Sequence, residues 1–240
     1  LKGVRQGENL SPLLFSLYIN DIENYLLENK CDFITCDDDE IDNYIKLLVL
    51  MYADDTIIMS HTKKGLQNAL NCMFNYCQKW HLQVNTSKTK VTIFGRRKVD
   101  INKMKFSYNG NDLEVVHNFK YLGVWFNHNG SFKLAISELK KQASRAMYSL
   151  LGKCRKLQLP IDIRLEMFDV LVAPIMLYSC EVWGSACFDS IEKLHLKYLK
   201  YTLQVKQSTC NNMIYGELGR VPLHVRINKR IIGYWAHVMQ

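Results

Sequence analysis

The order of apolar and polar positions near the start of the chain is that of an amphipathic helix. Ser11-Pro12 combines a favoured N-cap residue with proline at the first helical position. We therefore predict a helix from about Pro12 to Leu27. Its apolar residues recur at three- and four-residue intervals, at Leu13, Leu14, Leu17, Tyr18, Ile22, Tyr25 and Leu26.

Two short apolar runs rich in β-forming residues follow, from Leu47 to Met51 and from Thr56 to Ser60. They predict a β-hairpin whose turn is Tyr52-Ala53-Asp54-Asp55. The preceding stretch from Cys31 to Asn43 has no apolar period, which indicates a solvated loop. Its acidic cluster lacks the glycine and the closing glutamate of an EF-hand calcium loop.

Helical and strand periods alternate over the next part of the chain. The run from Lys90 to Phe94 predicts a strand, and Lys105 to Phe126 is β-rich, with Asn109-Gly110 as a strong hairpin-turn signal. Tyr121 to Trp125 is apolar enough to predict a buried strand. Before these strands, an amphipathic helix is marked by Leu66, Leu70, Met73, Phe74, Cys77 and Trp80.

Beyond Gly130 the period becomes helical. Further helices are predicted from Arg164 to Leu177, after Pro160, and from Ile191 to Leu203. The first helix of this region is marked by Phe132, Ile136, Leu139, Ala143, Met147 and Leu150, and its other faces carry Lys133, Lys140, Lys141 and Arg145.

The whole pattern predicts an α+β fold. Residues 1–131 would form an antiparallel sheet with helices on one face. Residues 132–205 would be helical, and residues 206–240 a helical or irregular tail.

The net charge of +8 is unevenly distributed along the chain. Residues 1–132 hold 15 Lys and Arg against 15 Asp and Glu, whereas residues 133–240 hold 16 against 8. This asymmetry favours a polyanionic partner, because neutralising phosphates releases counterions. Many soluble proteins are also mildly basic, and composition alone leaves both interpretations open.

The eight cysteines form no C-x-x-C pair, which is typical of reduced thiols in an intracellular protein. No apolar run reaches the roughly 20 residues that span a bilayer, and no signal-peptide pattern is present. We therefore expect an intracellular protein, in the cytoplasm, the nucleus or both, without a membrane partner.

Asp54 and Asp55 are adjacent carboxylates at a tight turn, where a divalent cation would offset their repulsion. In nucleotidyl transfer, two Mg²⁺ ions about 3.5 to 4 Å apart clamp the attacking and leaving oxygens. Neighbouring strand residues point to opposite faces, so one acid would reach the metals and the other would act as a second ligand or a support. Aspartate is also common in turns, and the pair taken alone favours an ordinary turn.

Four blocks stand in a fixed order along the chain. They are Gly3-Val4-Arg5-Gln6-Gly7-Glu8-Asn9-Leu10-Ser11-Pro12-Leu13-Leu14-Phe15 with Tyr18-Ile19-Asn20-Asp21, then Tyr52-Ala53-Asp54-Asp55, then Leu82-Gln83-Val84-Asn85-Thr86-Ser87-Lys88-Thr89-Lys90, and then Phe119-Lys120-Tyr121-Leu122-Gly123. Together they resemble the reverse transcriptases of non-LTR, LINE-type retrotransposons. The likeness continues through Leu177-Tyr178, Glu181-Val182-Trp183-Gly184 and the stretch from Tyr215 to Leu223, and so covers essentially the whole chain.

The resemblance implies an RNA-directed DNA polymerase that acts on an RNA template, a DNA primer and dNTPs. Asp54 and Asp55 would be catalytic residues that hold two Mg²⁺ ions, with Mn²⁺ as the alternative ion. Residues 1–131 would be the later part of the polymerase palm, with the catalytic and primer-grip hairpins. Residues 132–205 would be the thumb.

The resemblance also assigns roles to single positions. Lys88 matches the lysine proposed to protonate the departing pyrophosphate as a general acid. The nucleotide and template would contact Arg5, Gln6, Gly7 and Tyr52. The primer would contact Lys120, Tyr121, Leu122 and Gly123. The nucleic-acid backbone would contact Lys133, Lys140, Lys141 and Arg145.

Each of these positions also has a structural interpretation. Gln6 and Gly7 suit a loop before a helix, Lys88 suits a solvated connection, and Leu122 suits a core. For any single lysine of the predicted thumb helix, a solvated helix face is the favoured interpretation.

The family pattern places another metal-binding aspartate on a strand before Gly3. We therefore expect this chain to be an N-terminally truncated fragment that binds Mg²⁺ poorly and polymerises little or not at all. Glu8 also stands where a small or apolar residue is more usual in this family.

Two other functions stay open at this point. One is a catalytically dead nucleic-acid-binding relic, whose binding would weaken steeply with salt and would not depend on Asp54. The other is a palm-like nucleotidyl enzyme such as a cyclase. The blocks at Gln6-Gly7 and Tyr121-Leu122-Gly123 argue against the cyclase.

Overall fold

The computed structural model describes residues 8–32, 34–36, 45–47, 49–97, 100–184 and 189–239. These residues fall into two units. The first unit lies within Leu1–Ile93 and Asp100–Val116, and the second lies within Phe94–Val99 and His117–Gln240.

The first unit combines three helices with small sheets in its described residues. In chain order its elements are α1 (Ser11–Tyr18), α2 (Ile22–Glu28), β1 (Ile34–Cys36), β2 (Ile45–Leu47), β3 (Val49–Tyr52), β4 (Asp55–Ile58), α3 (Lys63–Lys79), β5 (Lys90–Val91), a 3₁₀ turn (Ile101–Lys103), β6 (Phe106–Tyr108) and β7 (Asn111–Val115). The pairs β1–β2 and β3–β4 are antiparallel, while β7 pairs antiparallel with β6 and parallel with β5. The predicted single antiparallel sheet is therefore wrong for the described strands, which form separate small sheets with one parallel pair.

The single helix predicted from Pro12 to Leu27 is also wrong, because the structure divides it into α1 and α2. The Tyr18 hydroxyl donates to the carbonyl oxygen of Trp80 at 2.6 Å. The Tyr76 hydroxyl donates to Asp21 Oδ1, also at 2.6 Å. These bonds fasten both sides of the break to the C-terminal part of α3, a constraint that local periodicity does not show.

The loop predicted from Cys31 to Asn43 contains strand β1, which pairs with β2 in the register Ile34↔Leu47. Because three residues are too few to show the alternation of apolar and polar positions, the sequence pattern did not predict this strand. The acidic residues from Asp37 to Asp42 lie outside the described residues.

Helix α3 supplies the centre of the first unit's core and confirms the predicted amphipathic helix. Its N-cap is Thr62, whose side-chain oxygen accepts a hydrogen bond from the Gly65 amide at 2.9 Å. The Asn109-Gly110 turn is also confirmed, with φ values of 49° and 75° between β6 and β7. The strand predicted from Lys90 to Phe94 is confirmed only over β5. The buried core of this unit includes Leu26, Ala69, Leu70, Met73, Tyr76, Cys77, Phe106, Tyr108 and Leu113.

The second unit is a hairpin followed by helices. Its described elements are β8 (Asn118–Tyr121), β9 (Val124–Asn127), α4 (Lys133–Lys156), α5 (Ile161–Leu171), α6 (Ala173–Met176), α7 (Cys180–Trp183), α8 (Asp189–Thr202), α9 (Asn211–Glu217) and α10 (Leu223–Val238). The buried strand predicted from Tyr121 to Trp125 is wrong, because Leu122 and Gly123 form the turn between β8 and β9. The apolar side chains had suggested burial, yet Leu122 is exposed.

A single apolar cluster forms the core of the second unit. Helix α4 buries residues at the predicted spacing, among them Leu139, Ala143 and Met147. The predicted tail is helical, and its Ile214 and Ile227 belong to the same cluster as α4. No described helix combines the length and the apolar character that crossing a membrane requires.

Candidate functional site

The hairpin β3–β4 carries Asp54 and Asp55 at its tip. Tyr52 pairs with Asp55 across the ladder, so the turn has only two central residues, Ala53 and Asp54. Ala53 has a φ of 53°, in the left-handed region that residues with a Cβ rarely adopt. Asp54 therefore lies within the turn and Asp55 opens β4, in a tighter hairpin than the sequence predicted.

One face of this hairpin packs on the first unit's core. Val49, Met51 and Ile58 contact that core. Leu50 and Tyr52 alternate with them along β3 and are exposed. Apolar packing on one face therefore supports the strands that present the two aspartates.

Asp54 and Asp55 are both exposed. The described residues contain no group of three or more His, Cys, Asp or Glu side chains that could hold one metal ion. Magnesium in proteins is usually held by one or two carboxylates together with water and substrate phosphates. Two adjacent exposed carboxylates match the number of protein ligands that such an ion commonly uses.

Lys88 stands on a turn organised by Asn85. The side-chain oxygen of Asn85 accepts hydrogen bonds from Ser87 Oγ at 2.7 Å and from the Lys88 amide at 3.3 Å. This local bonding fixes the backbone at Lys88 and leaves its side chain exposed. Lys88 belongs to the first unit, the unit that carries the hairpin β3–β4.

The predicted nucleotide- and template-binding residues are only partly described. Tyr52 is exposed at the end of β3, beside the turn. Arg5, Gln6 and Gly7 lie outside the described residues.

The predicted primer-binding residues surround the turn of β8–β9. Leu122 and Gly123 have φ values of 45° and 85°, which is the pattern of a two-residue type I′ turn. The Tyr178 hydroxyl donates to the carbonyl oxygen of Leu122 at 2.7 Å. A Cβ placed on Gly123 would lie 3.2 Å from Cε1 of Tyr178. Lys120 is exposed on β8 and Tyr121 is half-buried.

Tyr178 was not among the predicted site residues, although it braces this turn. The carbonyl oxygen of Tyr178 accepts a hydrogen bond from Nε1 of the buried Trp183 at 2.8 Å. Between them, Ser179 has a left-handed φ of 52°. Tyr178 and Trp183 both fall in sequence blocks that supported the resemblance, and those blocks were the available signal.

The basic residues of α4 lie on two stripes of the helix. Lys133 and Lys140 are seven residues apart and share one stripe, while Lys141 and Arg145 are four apart and share another. Lys141 pairs with Glu138 at 2.7 Å. All four lie in the second unit, and Lys140 is half-buried while the other three are exposed.

The block from Tyr215 to Leu223 fastens α9 and α10 to α8 through Glu192. One carboxylate oxygen of Glu192 accepts a hydrogen bond from the Tyr215 hydroxyl at 2.5 Å and lies 3.1 Å from Nδ1 of His195. The other accepts from the Leu223 amide at 2.6 Å. Burial alone raises the pKa of Glu192, but the hydrogen bonds from His195 and Tyr215 outweigh burial and hold this pKa below its ordinary value.

Asp169 of α5 provides a second anchor, which holds the block through Arg220 and α10 through Arg226. It accepts hydrogen bonds from Arg226 at 2.8 Å and from Arg220 at 2.5 Å. Burial raises the pKa of Asp169, but the two arginines outweigh burial and lower it overall. Part of the sequence resemblance in this region therefore coincides with residues that hold the helices together.

The chain is similar to proteins of mobile genetic elements. Residues 1–126 match the family model described as "Reverse transcriptase (RNA-dependent DNA polymerase)". Over 208 residues the chain is 26% identical to the "RNA-directed DNA polymerase from mobile element jockey" of Drosophila melanogaster, covering 82% of this chain and 21% of that protein. Over 201 residues it is 24% identical to the "Probable RNA-directed DNA polymerase from transposon BS" of the same fly, covering 81% and 21%.

A further relative is the "Retrovirus-related Pol polyprotein from type-1 retrotransposable element R2" of Nasonia vitripennis, which is 28% identical over 144 residues, 57% of this chain and 13% of that protein. The chain thus spans about a fifth of the length of the jockey and BS proteins. No solved structure gives a significant match to it.

Proposed function

The chain belongs to the reverse transcriptase (RNA-dependent DNA polymerase) family, and we propose that it is part of an RNA-directed DNA polymerase of a non-LTR retrotransposon. The observation that carries this proposal is the two-residue turn that presents Asp54 and Asp55 on a hairpin supported by the first unit's core. The names of the jockey and BS proteins support the same reaction class.

Asp54 and Asp55 would hold Mg²⁺, or Mn²⁺ in its place, at the tip of the hairpin. When bound, a pair of such ions would stabilise the charge that develops on the attacking and leaving oxygens. Lys88 donates a proton to the departing pyrophosphate. Lys88 is exposed and belongs to the unit that carries the hairpin β3–β4.

Template, primer and nucleotide contact different parts of the chain in this proposal. Residues 1–131 form the later palm, residues 132–205 the thumb and residues 206–240 a downstream region. The nucleotide and template contact Arg5, Gln6, Gly7 and Tyr52. The primer end contacts Lys120, Tyr121, Leu122 and Gly123. The nucleic-acid backbone contacts Lys133, Lys140, Lys141 and Arg145.

We also propose that these 240 residues alone do not complete a site for two metal ions. Clamping both reacting oxygens requires two ions, and the hairpin β3–β4 contributes one pair of carboxylates, Asp54 and Asp55. The isolated chain would then have low affinity for Mg²⁺ and little polymerase activity.

The test uses the longest protein encoded by the open reading frame that contains this chain. It measures Mg²⁺-dependent extension of a DNA primer on an RNA template by that protein. Asp54→Asn and Asp55→Asn should each slow extension by about 10³-fold, because each loses several kcal/mol of metal-dependent stabilisation. Asp112→Asn is the matched control, since Asp112 is an exposed aspartate two residues after another two-residue turn. Extension that survives substitution of both catalytic aspartates would refute the proposal.

A second candidate function is nucleic-acid binding without catalysis. The excess of positive charge after residue 132 favours it. In that case the longer protein would bind an RNA/DNA hybrid with steep salt dependence, Asp54→Ala would not change the affinity, and no extension would occur.

A further inference from the structure

A cavity of about 530 Å³ opens between α8 and the segment that joins α8 to α9. Helix α8 contributes Lys193, Lys197 and Lys200 to its lining, and the joining segment contributes Ser208 and Thr209. Among the described residues that line the cavity, none is acidic. The proposed polymerase function assigns no role to any of these residues.

The three lysines share one face of α8. Their spacing of four and then three residues places them on a single stripe of the helix. Lys200 is buried, and its ammonium group donates to the carbonyl oxygen of Gln207 at 2.7 Å. This bond uses one of the three N–H donors of Lys200 and ties the joining segment to α8.

The acidic residue next to Lys193 does not neutralise this stripe. Glu192 directs its carboxylate to Tyr215, His195 and the Leu223 amide, on the core side of α8. The positive charge of the cavity is therefore not balanced by Glu192.

Lys197 connects the cavity to α4. Its ammonium group donates to the Tyr148 hydroxyl at 2.5 Å and lies 5.2 Å from the centre of the Tyr148 ring. Tyr148 follows Arg145 by three residues and Lys141 by seven, so it continues their stripe along α4. The cavity thus adjoins the exposed basic stripe of that helix.

We propose that this cavity binds phosphate groups of a nucleic-acid backbone. Ammonium and hydroxyl groups are donors that proteins use to hold phosphate oxygens. No aromatic side chain is among the described residues that line it, so the cavity offers no ring on which a base could stack. Because the cavity adjoins the stripe that contains Arg145, the two together suit successive phosphates of one strand better than a small phosphate compound. The inference rests on the proposed function, because that function makes nucleic acid the partner of this chain.

The first test measures the affinity of the 240-residue chain for a labelled RNA/DNA hybrid by fluorescence anisotropy at several salt concentrations. Lys193→Gln should weaken binding about tenfold at 0.1 M salt and reduce the slope of log K against log salt by about one, as expected for one lost phosphate contact. Lys229→Gln is the matched control, because Lys229 is exposed on α10 and the charge change is the same. Equal effects of the two substitutions would overturn the proposal.

Cys210 provides a second readout that requires no lysine substitution. It lines the cavity and is exposed, whereas the other free cysteines whose burial the structure describes are buried. The hybrid should slow alkylation of Cys210 by a maleimide, measured by mass spectrometry of the peptide that contains it. Tripolyphosphate at the same phosphate concentration should protect Cys210 far less. Equal protection by tripolyphosphate would assign the cavity to free phosphate compounds and overturn the nucleic-acid assignment.

The two proposals can fail separately. Hybrid binding that neither depends on Lys193 nor protects Cys210 overturns the cavity proposal and leaves the polymerase proposal intact. Primer extension that survives Asp54→Asn and Asp55→Asn overturns the polymerase proposal. Lys193-dependent hybrid binding with protection of Cys210 would support the cavity proposal even then.

Discussion

At the scale of single residues, Asp169 shows how one carboxylate joins distant parts of the second unit. Its arginine partners follow it by 51 and 57 residues. Because its pKa is lowered in the folded protein, the carboxylate stabilises the fold above its unfolded-state pKa of about 3.9. That stabilisation is lost as the pH falls through the lower, folded-state pKa.

We predict that Asp169→Asn lowers the free energy of unfolding by about 2 kcal/mol at pH 7, as expected for hydrogen bonds between charged groups. The difference from the unsubstituted protein should shrink as the pH falls toward 2. Urea denaturation at both pH values measures it. Glu166→Gln, at an exposed position on the same helix, should have little effect at either pH. A loss of equal size at both pH values would exclude the carboxylate charge as its source.

At the scale of elements, the two type I′ turns form a matched pair. Gly110 and Gly123 both have positive φ, but a Cβ on Gly110 would meet nothing within 4 Å, whereas one on Gly123 would meet the Tyr178 ring. The hairpin β8–β9 therefore has a constraint that β6–β7 lacks.

Gly110→Ala should cost about 1 kcal/mol from backbone strain alone. Gly123→Ala should cost more, because the Tyr178 ring must also move. Tyr178→Ala is then added to the Gly110→Ala variant and to the Gly123→Ala variant. Without the Tyr178 ring, Gly123→Ala should no longer cost more than Gly110→Ala. Chemical denaturation of the four variants and the parent chain completes this cycle. Equal losses at the two glycines would show that Tyr178 does not constrain the turn.

Elements with strong local signals could be predicted from the sequence. The long apolar periods of α3 and α4 and the Asn109-Gly110 dipeptide each specify their structure within a few neighbouring residues. The hairpin around Asp54 and Asp55 was predicted for the same reason, although its turn is shorter than expected.

Features that depend on distant partners could not be predicted in this way. The break between α1 and α2 depends on bonds to Tyr76 and Trp80 of a later helix segment. The turn at Leu122 requires an uncommon positive φ, and its partner Tyr178 lies far along the chain. The roles predicted for Lys88 and the α4 lysines concern bound nucleotides and nucleic acid, and they stay predictions.

At the scale of the whole molecule, the two units have separate apolar cores. We predict that Met73→Ala and Met147→Ala each remove about 2 to 5 kcal/mol of stability from the unit that contains them, because both side chains are buried. Hydrogen exchange followed by mass spectrometry should show faster exchange in α3 for the first variant and in α4 and α8 for the second. Faster exchange in all three helices for both variants would show that the units unfold together.

The brace between Tyr178 and Leu122 also sets an order of events during translation. The ribosome releases the β8–β9 turn 56 residues before it releases the tyrosine that holds it. Domains fold progressively as the chain emerges, so this turn gains its support late in synthesis. A prematurely terminated product that ends before residue 178 would retain Asp54, Asp55 and the whole β8–β9 hairpin. Its turn, however, would lack the tyrosine that holds it in place.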